Sequence, residues 1–165
     1  MKPTRSCEVF IDGASRGNPG PAGIGVVFTG ARGAAGRQLS RYIGETTNNV
    51  AEYLALIYAL QQALRDDCTA LAVHTDSELL ARQLTGQYRV RDPRLRLFHD
   101  LAVEMVKGFA RFSIQHIPRS RNAQADRLAG DAVKGRRPAT APQAATGRAG
   151  QAGAVADAPQ LFSLV

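Results

Sequence analysis

The order in which the hydrophobic period changes along this chain constrains its fold more than any other feature. Residues 6–12 alternate, with Cys7, Val9 and Ile11 set against Glu8 and Phe10, which is the pattern of a strand with one buried face. The glycine-proline turn GASRGNPGPAG returns the chain into AGIGVVFTG, and Gly30 to Gly36 mark a second turn before RQLSRYIG. These stretches predict a three-stranded antiparallel meander. The period then lengthens: over 49–65, Leu54, Ile57, Leu60 and Leu64 recur at helical spacing. TALAVHT reads as a short buried strand and SELLARQLTG as a helix ended by Gly86. Pro93 opens another helix that carries Leu97, Leu101 and Val106, FARFSIQHI is a last strand, and NAQADRLAGDAVK is a last helix. The order βββ-α-β-α-α-β-α predicts an α/β fold, a mixed five-stranded sheet of three antiparallel and then parallel strands, with helices on both faces.

At 165 residues and 44% apolar content, the chain suits one domain with its own core. Composition shifts after Lys134: residues 135–165 are rich in Ala, Gly, Pro and Gln and lack apolar periodicity until the last five. The expectation is a folded domain over 1–134 and a disordered tail over 135–165. No run of about 18 apolar residues is present, so no membrane span is expected. MKPTRSCEVF lacks the apolar stretch of a signal peptide, which points to a cytoplasmic protein. Cys7 and Cys68 are not arranged as CxxC, and each lies in or beside an apolar strand, so both read as buried free thiols. The net charge of +7, from 21 basic and 14 acidic residues, fits a polyanionic partner.

Four acids stand at the edges of these elements. Asp12 closes the first strand, Glu52 lies in the first turn of the helix announced by TTNN, Asp76 ends LAVHTD, and Asp126 sits just inside the last helix. Each has a structural explanation. Asp12 suits a turn, and Asn49 and Glu52 have the spacing of a capping box. Asp76 or Ser77 suits a cap, and Asp126 complements a helix dipole. Their joint placement asks for more. In a sheet whose first and fourth strands are adjacent, Asp12 and Asp76 stand side by side, and the two helices bring Glu52 and Asp126 to the same point. Clustered carboxylates resist ionisation unless a cation lies among them. Mg²⁺ suits a few carboxylates, retained waters and substrate phosphate oxygens.

IDGASRGNPGPAG, TTNNVAEYLAL, HTDSELLARQL and NAQADRLAG closely resemble the four signature segments of type 1 ribonuclease H, in that family's order over roughly residues 7–134. The resemblance implies a ribonuclease H-like fold. It also implies hydrolysis of the RNA strand of RNA–DNA hybrids to 5′-phosphate and 3′-hydroxyl products. By the same resemblance, Asp12, Glu52, Asp76 and Asp126 hold two Mg²⁺ (or Mn²⁺) ions, with Asp12 bridging them. Asn18, Asn48 and Asn49 match positions that contact the minor groove of the hybrid, and Thr47 matches a position near a DNA phosphate. Short amide side chains both donate to and accept from 2′-hydroxyls, which identify RNA. Two alternatives to hybrid cleavage are a nuclease acting on double-stranded RNA and a hybrid-binding module with little catalysis. Retention of all four acids argues against the second.

Two features depart from the family pattern. A long basic, aromatic-rich insertion is absent, and only QYRVRDPRLRLF joins Gly86 to the next helix. Arg89, Arg91, Arg94 and Arg96 are candidate phosphate contacts in its place. The loop before the last acid, IPRSRN, has no histidine, and Arg119 and Arg121 are the charged residues available there. His74, His99 and His116 read as structural or surface residues. In the tail, Gln160, Leu161 and Leu164 of PQLFSLV loosely resemble the terminal peptides that dock on the sliding clamp of replication. The expected form is a monomer.

Overall fold

The computed structural model describes residues 5–30 and 35–135. Strands β1 (Ser6–Ser15), β2 (Gly20–Thr29) and β3 (Ala35–Thr46) form the antiparallel meander. Strand β4 (Ala70–Thr75) lies parallel to β1, and β5 (Arg111–His116) lies parallel to β4. The sheet order is therefore β3-β2-β1-β4-β5. Helix α1 (Asn48–Arg65) enters between β3 and β4, α2 (Glu78–Leu84) and α3 (Pro93–Val106) between β4 and β5, and α4 (Ala123–Lys134) follows β5. This is the mixed sheet the sequence predicts. One boundary differs: Asp12 lies within β1 instead of closing it. Residues Asp12 to Ser15 stay paired with Gly25 to Ala22, so the turn begins at Arg16, whose N–H donates to the Pro21 carbonyl at 2.8 Å.

Helix α1 covers one face of the sheet. Val50, Tyr53, Leu56 and Leu60 pack with Val9, Ile11, Ile24 and Val26 in the core. Ala51, Ala55, Ala59 and Ala63 form an i, i+4 row that is completely buried. The leucine spacing did not reveal this row, and Leu54, Ile57 and Leu64 are only partly buried. Small side chains there let the helix axis approach the strands. Helix α4 covers the opposite face over β2, where a Cβ on Gly25 would overlap the Ala125 carbonyl and one on Gly23 would crowd Ala129 and Ala132. Helix α3 also differs in phase from its sequence reading. Leu97 and Leu101 are 72% and 49% exposed, while Leu95 and Ala102 are buried. Both sets have helical spacing, and the second faces α1.

The free-thiol reading of the cysteines is overturned. Cys7 and Cys68 form a disulfide with a Cα–Cα distance of 6.1 Å. Cys7 is the second residue of β1, opposite Leu71 of β4, and Cys68 lies just before β4, so the parallel pairing of the two strands brings the sulfurs together. Among the described residues, no helix is long and apolar enough to cross a membrane. The tail expectation for 136–165, with Gln160, Leu161 and Leu164, lies outside the described residues.

Candidate active site

Parallel pairing of β1 and β4 sets Ile11 opposite Thr75, which leaves Asp12 and Asp76 adjacent at one end of the two strands. Glu52 arrives from α1. The helix is capped by Thr47, whose Oγ1 accepts the Val50 N–H at 3.3 Å, so Glu52 is its fifth residue and no Asn49–Glu52 capping box forms. The Glu52 carboxylate instead turns to β1 and accepts the Gly13 N–H at 3.2 Å. Gly13 makes this contact feasible, because a Cβ at that position would overlap the backbone of Ala51 and Glu52.

Carboxylate oxygens of Asp12, Glu52 and Asp76 lie within 4.8 Å of one another. Asp12 and Glu52 are buried, at 4% and 5% exposure. Burial raises the Asp12 carboxyl to about 8, with the negative charges of Asp76 and Asp126 adding to the shift. Burial likewise pushes Glu52 well above the usual carboxylate range, followed by repulsion from Asp12 and Asp76. An all-oxygen set that resists ionisation in isolation fits a hard divalent cation of the Mg²⁺ or Mn²⁺ kind.

Asp126 lines the same open cleft of about 480 Å³ but stands outside the three-acid group, and its Oδ1 accepts Arg119 Nη2 at 2.7 Å. Ser77 and Asn48 also line the cleft. Ser77 rather than Asp76 caps α2, its Oγ accepting the Leu80 N–H, so Asp76 has no capping duty. Asn18 is exposed, and its Oδ1 accepts the Asn48 N–H at 3.1 Å, which ties the GNPG turn to the start of α1. Thr47 completes this group as the cap, and Asn49 is exposed beside it.

The arginines separate. Arg119 belongs to the cleft, whereas Arg121 lines a different small cavity with Phe10, Val27 and Gln124. Arg89 and Arg91 are exposed and make no ion pair among the described residues. Arg94 is exposed too, but Arg96 donates to the Val90 carbonyl at 2.6 Å and holds the loop before α3. His74 stacks on Phe10 and bonds Glu8, His99 bonds Asp100, and His116 is exposed on β5.

A family model described as "Reverse transcriptase-like" matches residues 10–132. The chain is 42% identical over 135 residues to Ribonuclease HI of Halobacterium salinarum, a match covering 81% of this chain and 68% of that protein. The chain belongs to the ribonuclease H family. It is also 42% identical over 126 residues to Bifunctional protein Rv2228c of Mycobacterium tuberculosis, where the match spans 76% of this chain but 35% of that longer protein. Among solved structures, LC11-RNase H1, isolated from compost by a metagenomic approach and bound to an RNA/DNA hybrid, aligns with a TM-score of 0.73 at 42% identity. That alignment covers 78% of this chain and 96% of that one.

The electrostatics of this ribonuclease H cleft have a measurable consequence. In the metal-free folded state Asp12 keeps its proton up to about pH 8, while in the unfolded chain it loses it near 3.8. The folded state therefore holds more protons between these values. That contribution to stability is complete below the lower value and is lost as pH rises through the window. In EDTA, the melting temperature of wild type should fall more steeply from about pH 5 to about pH 8.5 than that of Asp12→Asn. Parallel melting curves for the two proteins would contradict the burial and charge repulsion that raise the Asp12 carboxyl.

Proposed function

We propose that residues 1–134 form the catalytic domain of a metal-dependent endonuclease that hydrolyses the RNA strand of RNA–DNA hybrids. The observation that carries this reading is the buried Asp12–Glu52–Asp76 carboxylate group, with Asp126 on the same cleft. The hybrid bound to LC11-RNase H1, a relative with the same fold, supports the choice of substrate. Asp12, Glu52, Asp76 and Asp126 would hold two Mg²⁺ or Mn²⁺ ions. Such ions, when bound, would supply neutralisation of phosphate charge, activation of the attacking water and stabilisation of the leaving oxygen, in keeping with 5′-phosphate and 3′-hydroxyl ends.

The chain's own residues orient the substrate. Asn18, Asn48 and Asn49, gathered at the start of α1, would read 2′-hydroxyls, and Thr47 would meet a DNA phosphate. Exposed Arg89 and Arg91 offer phosphate contacts, and Arg121 offers another outside the cleft. Arg119 holds the Asp126 carboxylate and adds positive charge where phosphate enters. It is permanently protonated, so it orients and neutralises rather than shuttles protons. All four acids come from one chain, and the proposed form is a monomer. Gln160, Leu161 and Leu164 are proposed as sliding-clamp anchors on their sequence alone.

The test is a substrate panel of labelled hybrid, double-stranded RNA and single-stranded RNA, with Mg²⁺ or Mn²⁺. The expected result is cleavage of the RNA strand of the hybrid alone, abolished by EDTA. Hybrid binding without cleavage under either metal, or preferential cutting of double-stranded RNA, would refute the reading.

A further inference from the structure

Asn122 occupies the N-cap of α4, where an asparagine side chain ordinarily accepts an amide from the first turn of its helix. It makes no such bond. The residue is 1% exposed, and its side chain turns away from its own helix so that Nδ2 donates to the Ile11 carbonyl at 2.9 Å. Its Oδ1 is also buried and has no partner among the described residues. This arrangement forgoes a helix cap and leaves an acceptor unmatched, both of which cost stability. Against that cost stands one buried side-chain bond, from Nδ2 to the Ile11 carbonyl.

Only the side-chain bond is specific to asparagine, and it reaches the strand of Asp12, while the backbone bonds of residue 122 belong to the helix start itself. Ile11 directly precedes Asp12 in β1. The Asn122 carbonyl accepts the Asp126 N–H at 3.0 Å, and the Asn122 N–H donates to the Arg119 carbonyl at 2.9 Å. One buried residue outside the cleft lining thus connects the strand of Asp12, the helical turn of Asp126 and the loop of Arg119. We propose that Asn122 is a positioning residue that fixes the gap between Asp12 and Asp126 and so sets the affinity of the site for divalent metal. The proposal rests on the metal-site reading above. Ser40 provides a contrast. Its hydroxyl donates to the Leu128 carbonyl at 2.7 Å and also ties α4 to the sheet, but from β3 and at a carbonyl beyond the turn of Asp126.

The experiment measures Mn²⁺ binding by calorimetry to metal-free wild type, Asn122→Ala, Asn122→Leu and Ser40→Ala, with hydrogen exchange followed at the Asp126 amide. The leucine variant retains bulk where alanine would leave a cavity. Both Asn122 variants should bind Mn²⁺ about tenfold or more weakly, the range for lost outer contacts of metal ligands. They should also exchange faster at Asp126. Ser40→Ala should loosen α4 with Mn²⁺ affinity unchanged. Folded Asn122 variants with wild-type Mn²⁺ affinity and only a lower melting temperature would overturn the proposal. Failure of both variants to fold would do the same, since the role would then be architectural. A wild-type protein that does not bind Mn²⁺ at all would instead bring down the metal-site reading, and this inference with it.

Discussion

Replacing Asp12 with Asn should lower cleavage of RNA–DNA hybrid by about 1,000-fold or more while leaving the fold intact. Asp12 is the acid at the centre of the group: it is buried, its carboxylate lies within 4.8 Å of those of Glu52 and Asp76, and it feels the charges of both Asp76 and Asp126. An amide at this position keeps the shape but cannot give up a proton to become an anionic ligand for a cation. Loss of metal-derived charge stabilisation costs several kcal/mol in the transition state, and each 1.4 kcal/mol or so is a factor of ten. The fold should survive because the amide matches the protonated carboxyl already favoured in the metal-free state. Single-turnover cleavage at saturating Mn²⁺, beside a melting curve, checks both halves. Residual activity within tenfold of wild type would remove Asp12 from its central role.

Reduction of the Cys7–Cys68 bond should cost about 4 kcal/mol of stability, since it closes a loop with a sequence separation of 61 residues. For a domain of this size that corresponds to a fall in melting temperature of about 10 °C. Calorimetry with and without reductant, and on Cys68→Ala, measures it. Hybrid cleavage at low temperature should persist in the reduced protein, because the bond staples the opposite end of β1 and β4 from the acids. Equal melting temperatures would show that the unfolded chain is not constrained by the bond.

The acids were legible because each belongs to a local signal: a strand flanked by glycine turns, a capped helix start, or a short apolar run. The adjacency of β1 and β4, which is needed to bring Asp12 to Asp76, is only a condition in the sequence reading, and the parallel pairing of the two strands supplies it. The same adjacency could have paired Cys7 with Cys68, but two cysteines without close spacing carry no local signal of their own. In the sequence Asn122 marks only a helix start, because nothing local reveals that its side chain reaches a carbonyl 111 residues away. The phase of α3 failed for another reason. Leu97 and Leu101 compete at helical spacing with Leu95 and Ala102, and tertiary packing alone chooses between them. Arg119 and Arg121 differ by two positions yet serve separate cavities, since the short helical turn between them points the side chains apart.

At Gly13 beneath the start of α1, and at Gly23 and Gly25 beneath α4, helix and sheet meet backbone to backbone, through atoms that have no rotamers to change. Thermal rearrangement of large core side chains, such as Leu56 or Leu60, is therefore poorly transmitted to the spacing of the carboxylates. Tolerance should divide accordingly. Swaps among the bulky core residues would be absorbed as local softness, while the addition of one methyl at Gly13 or Gly25 would act as a spacer that lifts a whole helix and its acid off register.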